Sequence, residues 1–325
     1  MGKSSSQPPD SPPSYGSMCF SSCVAGVVAR CFVHPLDTVK ARLQAPGGTA
    51  LYRGLVAGLR TTVASEGLAG LYRGFPVVVV GGTPATCLYL TSYDISKRWC
   101  DPSKPGPFFH TPPAAIHLLC GMLAETVCCV VFVPVDVVKE RLQVQRSGTA
   151  AASAAIPPVY RGSFDALRTI AATEGVKGVY RGYGATLLSF GPFSGFYFMF
   201  YEQLKGLALV QSVSPGEAPT PLATLACASG AGALAAWVTS PLDMAKLRMQ
   251  VERGATTAAM GGAGGGRRAA PVQELQYPTF LRSIKHIFRT EGAAGLWRGS
   301  VARMAFTAPN TAITMAVYEE MKNRV

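Results

Sequence analysis

Charge is scarce in this chain: Asp, Glu, Lys and Arg make up 15% of its 325 residues, against about a quarter in ordinary soluble domains. With hydrophobic residues at 48%, 35 Gly and 24 Pro, that shortage points to a membrane protein, whose helices tolerate Gly and Pro better. Cysteine spacing of the metal or disulfide type is missing as well. The nine cysteines (19, 23, 31, 87, 100, 120, 128, 129, 227) contain no CxxC pair. Most lie in apolar runs and read as small buried hydrophobes of a reducing compartment. No nucleophile–base pair, metal-ligand cluster or phosphate loop occurs, and His34, His110, His117 and His286 share no spacing. That argues against an enzyme and against a bound metal or other cofactor. The net charge of +12 is not gathered into a basic patch or tail, so nucleic acid is not an expected partner. Met1–Gly16 is polar and Pro/Ser-rich, without the apolar core of a cleavable secretory signal, and reads as a disordered tail (1–16). Its MGKSSS start fits the N-myristoylation pattern with Gly2 as acceptor.

What is present is a repeat. PVDVVKERLQVQ (Pro134–Gln145) places Asp136 and Lys139 about one helical turn apart. Pro35, Asp37, Lys40, Arg42 and Gln44 have the same spacing, as do Pro241, Asp243, Lys246, Arg248 and Gln250. The copies recur at a period of roughly 100 residues, the mark of a repeat architecture. Each unit opens with a long helix that is apolar before its proline and charged after it: Ser17–Gln44, about Ala114–Gln145, and Pro221–Gln250. A shorter helix follows (Tyr52–Ser65, Ser163–Thr173, Phe280–Thr290), then a turn: EGLAGLYRG, EGVKGVYRG and EGAAGLWRG at Glu66–Gly74, Glu174–Gly182 and Glu291–Gly299. A second apolar span closes each unit. The units are 17–101, 114–212 and 213–325, with a Pro-rich linker at 102–113. A flexible insertion at 254–272 is centred on the Gly/Ala/Arg-rich Gly254–Ala270. Two spans of roughly 20 to 25 residues per unit suit a bilayer of about 30 Å, giving six spans in all. Arg30, Glu125 and Arg303 interrupt them, and such groups normally face a bundle interior or an aqueous cavity.

On these residues the chain resembles the mitochondrial carrier family over 17–325. PxDxxKxR followed by EGxxxx-aromatic-Arg-Gly occurs three times. So does aromatic-acid-x-x-base: Tyr93-Asp94 with Lys97, Tyr201-Glu202 with Lys205, Tyr318-Glu319 with Lys322. The resemblance implies an all-α membrane protein of the mitochondrial inner membrane, a monomer. Six transmembrane helices in three pseudosymmetric repeats, with short matrix-side helices, would surround a central solute cavity. It implies a matrix gate in which Asp37, Asp136 and Asp243 pair with Lys139, Lys246 and Lys40, braced by Gln44, Gln143 and Gln250. It implies a cytoplasmic gate in which Asp94, Glu202 and Glu319 pair with Lys205, Lys322 and Lys97, braced by Tyr93, Tyr201 and Tyr318. Bridges facing an aqueous cavity are worth only about 0–1 kcal/mol each, weak enough for solute binding to outweigh. The Arg73-Gly74, Arg181-Gly182 and Arg298-Gly299 turns would bind cardiolipin phosphates at helix N-termini.

Family contact positions on the even helices fall at Gly81-Gly82, Ser189-Phe190 and Phe306-Thr307, none of them charged. That removes weight from nucleotide, phosphate and dicarboxylate cargoes. Counting back from the gate acids places Arg30 and Glu125 on the cavity face, about 10 and 16 Å above the gate. One cation and one anion suit a zwitterionic or amino-acid-like solute; a fixed Arg30–Glu125 interhelical pair is the bland alternative. AETVCCVVFVPVDVVKERLQ resembles the third helix of S-adenosylmethionine carriers, PNTAITMAVYE the last helix of mitoferrins, and GLYRGF…YDISKR amino-acid carriers. Cys23, Cys87 and Cys129 count as inward-facing, which keeps an iron-type cargo as an alternative, beside a non-transporting scaffold of the same fold.

Overall fold

The computed structural model describes residues 15–46, 48, 52, 54–100, 113–145, 160–210, 221–252 and 276–324. Gly2 and most of the tail, 102–112 of the linker and the insertion at 254–272 lie outside the described residues, as do the side chains of Tyr318, Glu319 and Lys322. Ten helices account for the described chain. The first repeat holds α1 (Tyr15–Gln44), α2 (Leu55–Leu71) and α3 (Phe75–Trp99). The second holds α4 (Pro113–Val144), α5 (Ser163–Val179) and α6 (Tyr183–Val210). The third holds α7 (Pro221–Val238), α8 (Ser240–Val251), α9 (Phe280–Leu296) and α10 (Ser300–Arg324). The long helices pack in chain order round a ring, α1, α3, α4, α6, α7 and α10, which closes where α10 lies against α1.

Pro35 and Pro134 sit inside α1 and α4. At Pro241 the same motif divides the third span into α7 and α8, bent by 66°. Proline removes one i→i−4 bond and crowds the preceding turn. Here Thr239 and Ser240 also turn their hydroxyls back onto the carbonyls of Ala235 (2.7 Å) and Ala236 (2.8 Å), which favours bending. By length and composition α3 and Leu119–Val144 could each cross a membrane, and α7 with α8 would make a third such span. Phe32, Val80, Met122, Val130, Phe198 and Val301 form an exposed apolar exterior of the kind that suits lipid.

The three EG segments are not simple turns, as the sequence suggests. The short helices run on to Leu71, Val179 and Leu296, kinked at Gly67, Gly175 and Gly292 with φ near 70° (71°, 68° and 71°). Glycine takes that left-handed geometry without the roughly 1–2 kcal/mol that a Cβ adds. One more helical turn then forms before the chain reverses. Each short helix packs on the lower half of its own odd helix, making three separate cores. Val137, Val138 and Leu142 meet Ile170; Met244 and Met249 meet Ile287; Val39 and Leu43 meet Tyr52 and Leu71. Fully burying Ile170 or Ile287 contributes about 2 kcal/mol each. The bundle centre carries no such core. It is left for polar groups.

Gly81, expected to touch the solute, instead faces α4: a Cβ there would collide with Val135 Cγ2. Its missing side chain lets α3 and α4 approach. Gly81→Ala is therefore expected to cost about 1–3 kcal/mol through overpacking, read as a lower melting temperature of the detergent-purified protein.

Candidate functional site

The charged lower halves of α1, α4 and α8 converge at the proline-kinked end. Each aspartate there meets the lysine of another repeat. Lys139 Nζ lies 2.6 Å from Asp37 Oδ2, Lys246 Nζ 2.8 Å from Asp136 Oδ2, and Lys40 Nζ 2.7 Å from Asp243 Oδ2. Their side chains are 2–17% exposed, so the bridges are largely withdrawn from water although Lys40, Asp243 and Lys246 border the central cavity. Burial makes both sides of the ledger large: Coulombic attraction grows, and desolvation offsets most of it. Removing one partner then costs far more than the intact pair contributes.

The glutamines do not act alike. Gln143 Nε2 donates to Asp37 Oδ2 (3.3 Å) and Thr38 Oγ1 (3.2 Å), and Gln250 Nε2 donates to Asp136 Oδ2 (3.0 Å). Neither amide atom of Gln44 has a hydrogen-bond partner; its stem lies against the Gly299 turn. The brace is thus twofold rather than threefold.

A second ring, which the spacing alone does not reveal, joins the motif arginines to the EG glutamates. Arg42 bonds Glu66 through both terminal nitrogens (2.9 and 3.0 Å). Arg141 holds Glu174 the same way, and Arg248 pairs with Glu291. Each arginine Nε also donates to the backbone carbonyl of another repeat's glutamine: Gln143 at 2.9 Å, Gln250 at 3.0 Å and Gln44 at 3.3 Å. The signal lay in the sequence as an arginine and an EG glutamate in every repeat, without a shared separation to link them. The hydrogen bond from Arg248 holds the Glu291 carboxyl below its usual range. Its contribution to stability is present at neutral pH and lost as acid protonates it. The turn arginines are engaged inside the protein too: Arg73 with Glu66 (3.5 Å), Arg181 with Glu252 (2.9 Å), Arg298 with Glu291 (2.6 Å).

Above the aspartate–lysine ring lies a cavity of about 560 Å³. Lys40, Asp243 and Lys246 form its floor, and it extends past Tyr89 and Asn310 toward the opposite end. Gly82, Ser189, Phe190, Phe306 and Thr307 line it, as do Arg30 and Glu125. No ion pair joins Arg30 to Glu125, which excludes the fixed-pair alternative in this conformation. Glu125 is 7% exposed and accepts the Cys129 thiol at 3.4 Å. Arg303, noted in the sequence only as an interruption, is a third charge of the wall. Its Nη1 donates to Ala236 O (2.9 Å), its Nε reaches Asp243 at 3.5 Å, and it lies over the Phe193 ring. It sits one turn before Thr307, outside the register that the proline of α10 defines. Cys23 lines the cavity and its sulfur is 3.6 Å from that of Cys87. Cys128 lines it in place of Cys129, which is buried in the core beside α5. Among the described residues no three His, Cys, Asp or Glu side chains gather as a metal site.

The far end is arranged differently. Asp94 pairs with Arg98, one turn on in its own helix, at 2.8 Å. Glu202 is exposed and Lys205 half-buried. Tyr93 and Tyr201 stack on Tyr89 and Tyr197, one turn earlier in their own helices.

The sequence profile described as Mitochondrial carrier protein matches this chain three times, at residues 11–103, 110–211 and 217–325. Mitochondrial substrate carrier family protein E of Dictyostelium discoideum is 33% identical over 93% of both chains. The mitochondrial S-adenosylmethionine carrier protein of Xenopus laevis is 30% identical over 92% of this chain and 93% of its own. The mitochondrial glycine transporter of Mus musculus is 31% identical over 93% of this chain and 82% of its own. Three tandem repeats, an all-helical ring and full-length similarity to such proteins place this chain in the mitochondrial carrier family, as a multi-pass transporter of small-molecule solutes in the inner membrane.

Proposed function

We propose that this carrier moves a small zwitterionic, amino-acid-like solute, S-adenosylmethionine in the first place, by alternating access. The reading makes Asp37–Lys139, Asp136–Lys246 and Asp243–Lys40 the matrix gate, closed here, and the charges around Asp94, Glu202 and Glu319 the cytoplasmic gate. The observation that carries the cargo assignment is the cavity wall. Glu125 can take an ammonium, Arg30 a carboxylate, and Arg30 and Glu125 do not neutralise each other. Size favours the larger of the cargoes named for the relatives. A cavity of about 560 Å³ far exceeds glycine, and cavities of roughly 300–1,000 Å³ hold nucleoside-sized ligands. Phe190, Phe193, Phe306 and Tyr89 offer rings for an adenine to stack on. Similarity to S-adenosylmethionine carriers supports the same choice. The lipid expectation is kept in altered form: with the turn arginines engaged internally, the backbone N–H groups that open α3, α6 and α10 would face a cardiolipin phosphate.

Arg30→Ala and Glu125→Ala are each expected to weaken S-adenosylmethionine binding by about 2 kcal/mol, roughly thirty-fold, as for lost charge-assisted bonds. Ligand-induced thermal shifts of purified protein measure this. Unchanged concentration dependence in both variants would remove these residues from the site.

A further inference from the structure

The matrix ring contains one carboxylate that its pairing does not use. Position 140 follows the gate lysine. Repeats 1 and 3 place Ala41 and Leu247 there, so neither the three pairs nor the helix geometry requires an acid. Glu140 is 6% exposed. Its Oε1 accepts from Lys139 Nζ at 3.0 Å, and that ammonium is already held by Asp37 at 2.6 Å. Its Oε2 is buried with no hydrogen-bond partner. Glu140 lines a small recess of about 130 Å³ at the foot of the central cavity.

The charged groups around that recess come from three helices. Asp136 and Lys139 stand on the same helix as Glu140; Arg30, Asp37 and Lys40 come from α1, and Asp243 and Lys246 from α8. α3 and α10 contribute Val78, Gly82 and Phe306, and Arg303 of α10 is spent on Asp243 (3.5 Å). Lys40 and Lys246 are each engaged by an aspartate at 2.7 and 2.8 Å. One shared lysine therefore serves two buried carboxylates. An ionised carboxylate with an unsatisfied oxygen in such a place is costly, and a proton removes that cost.

We propose that Glu140 is a proton-binding site built into the matrix gate, and that it couples solute movement to H⁺ movement in the same direction. With the gate closed, the carboxyl oxygen takes a proton from water in the cytoplasm-facing cavity. When the solute opens the ring, Lys139 leaves Asp37, matrix water reaches Glu140, and the carboxylate, now served by Lys139 and water, releases that proton to the matrix. One proton enters and one leaves per cycle, with no other reactant. The step rests on the gate reading above.

Two measurements test it. The first compares melts of detergent-purified wild type, Glu140→Gln and Glu140→Leu between about pH 5.5 and 8.5. Leucine is the residue of repeat 3 at this position, so it provides a second variant that fits. A protonated Glu140 stabilises the closed state at acid pH, and that stability is lost as pH rises. The wild type is therefore expected to lose about 3 °C more than either variant over this range. Parallel curves, or variants less stable by the same margin at every pH, would mean a permanently ionised brace and overturn the proposal. The second measures S-adenosylmethionine uptake by proteoliposomes. An acid exterior is expected to accelerate the wild type several-fold over equal pH and to leave Glu140→Gln unaffected; equal acceleration of both overturns the coupling. If the wild type takes up no S-adenosylmethionine, the cargo assignment fails, and the melts still decide Glu140.

Discussion

Replacing Asp136 by lysine is expected to stop solute uptake completely, and adding Lys246→Asp to the same chain is expected to restore part of it. Asp136 accepts from Lys246 Nζ at 2.8 Å and from Gln250 Nε2 at 3.0 Å in an almost buried position. A lysine there would set two ammonium groups against each other, and leaving a buried charge unpaired costs about 3–5 kcal/mol. That is comparable to the whole difference between two gate states of a few kcal/mol. The double variant recovers the opposite charges, but Gln250 must present its carbonyl oxygen instead of its amide. Recovery is therefore incomplete. Uptake assays with a melt on each variant measure this. A folded double variant with no recovered uptake would remove Asp136–Lys246 from the gate.

The largest loss of stability is expected for Arg141→Ala, about 3–5 kcal/mol. The guanidinium is 1% exposed and holds Glu174, itself 5% exposed. It also donates to the carbonyls of Gln250 (3.0 Å) and Glu252 (3.1 Å) in the third repeat. Its removal strands a buried carboxylate and breaks a link between repeats. Arg141→Ala with Glu174→Gln removes the stranded charge and should recover part of the loss. Thermal melts of the two variants measure this; a loss under about 1 kcal/mol would show that the second ring is incidental to stability.

The threefold plan was legible because it is written as composition at fixed offsets. Proline, aspartate, lysine and glutamine recur in register, and a helix converts register into a shared face. What could not be read depends on approach between helices. Gln44 and Gln250 occupy equivalent positions and their stems lie alike against the Gly299 and Gly182 turns, yet the Gln250 amide reaches Asp136 while the Gln44 amide has no hydrogen-bond partner. Gly81 and Gly82 are adjacent on one helix, and only the crossing with α4 decides that Gly82 meets the cavity and Gly81 meets Val135. Cys128 and Cys129 exchange roles for the same reason: one residue is about 100° of helix rotation. The EG kinks were legible as glycines, but the extra turn beyond each needs a left-handed φ that sequence marks without locating. Arg303 was visible as a charge in an apolar span, and its partners lie on other helices, Asp243 on α8 of its own repeat and Phe193 on α6 of the second.

The measurement that bears most directly on this account is uptake of radiolabelled S-adenosylmethionine into liposomes containing the purified chain. The expected result is saturable uptake, suppressed by excess unlabelled S-adenosylmethionine and abolished in Asp136→Lys. Uptake by the folded wild type no faster than into liposomes carrying Asp136→Lys would contradict it.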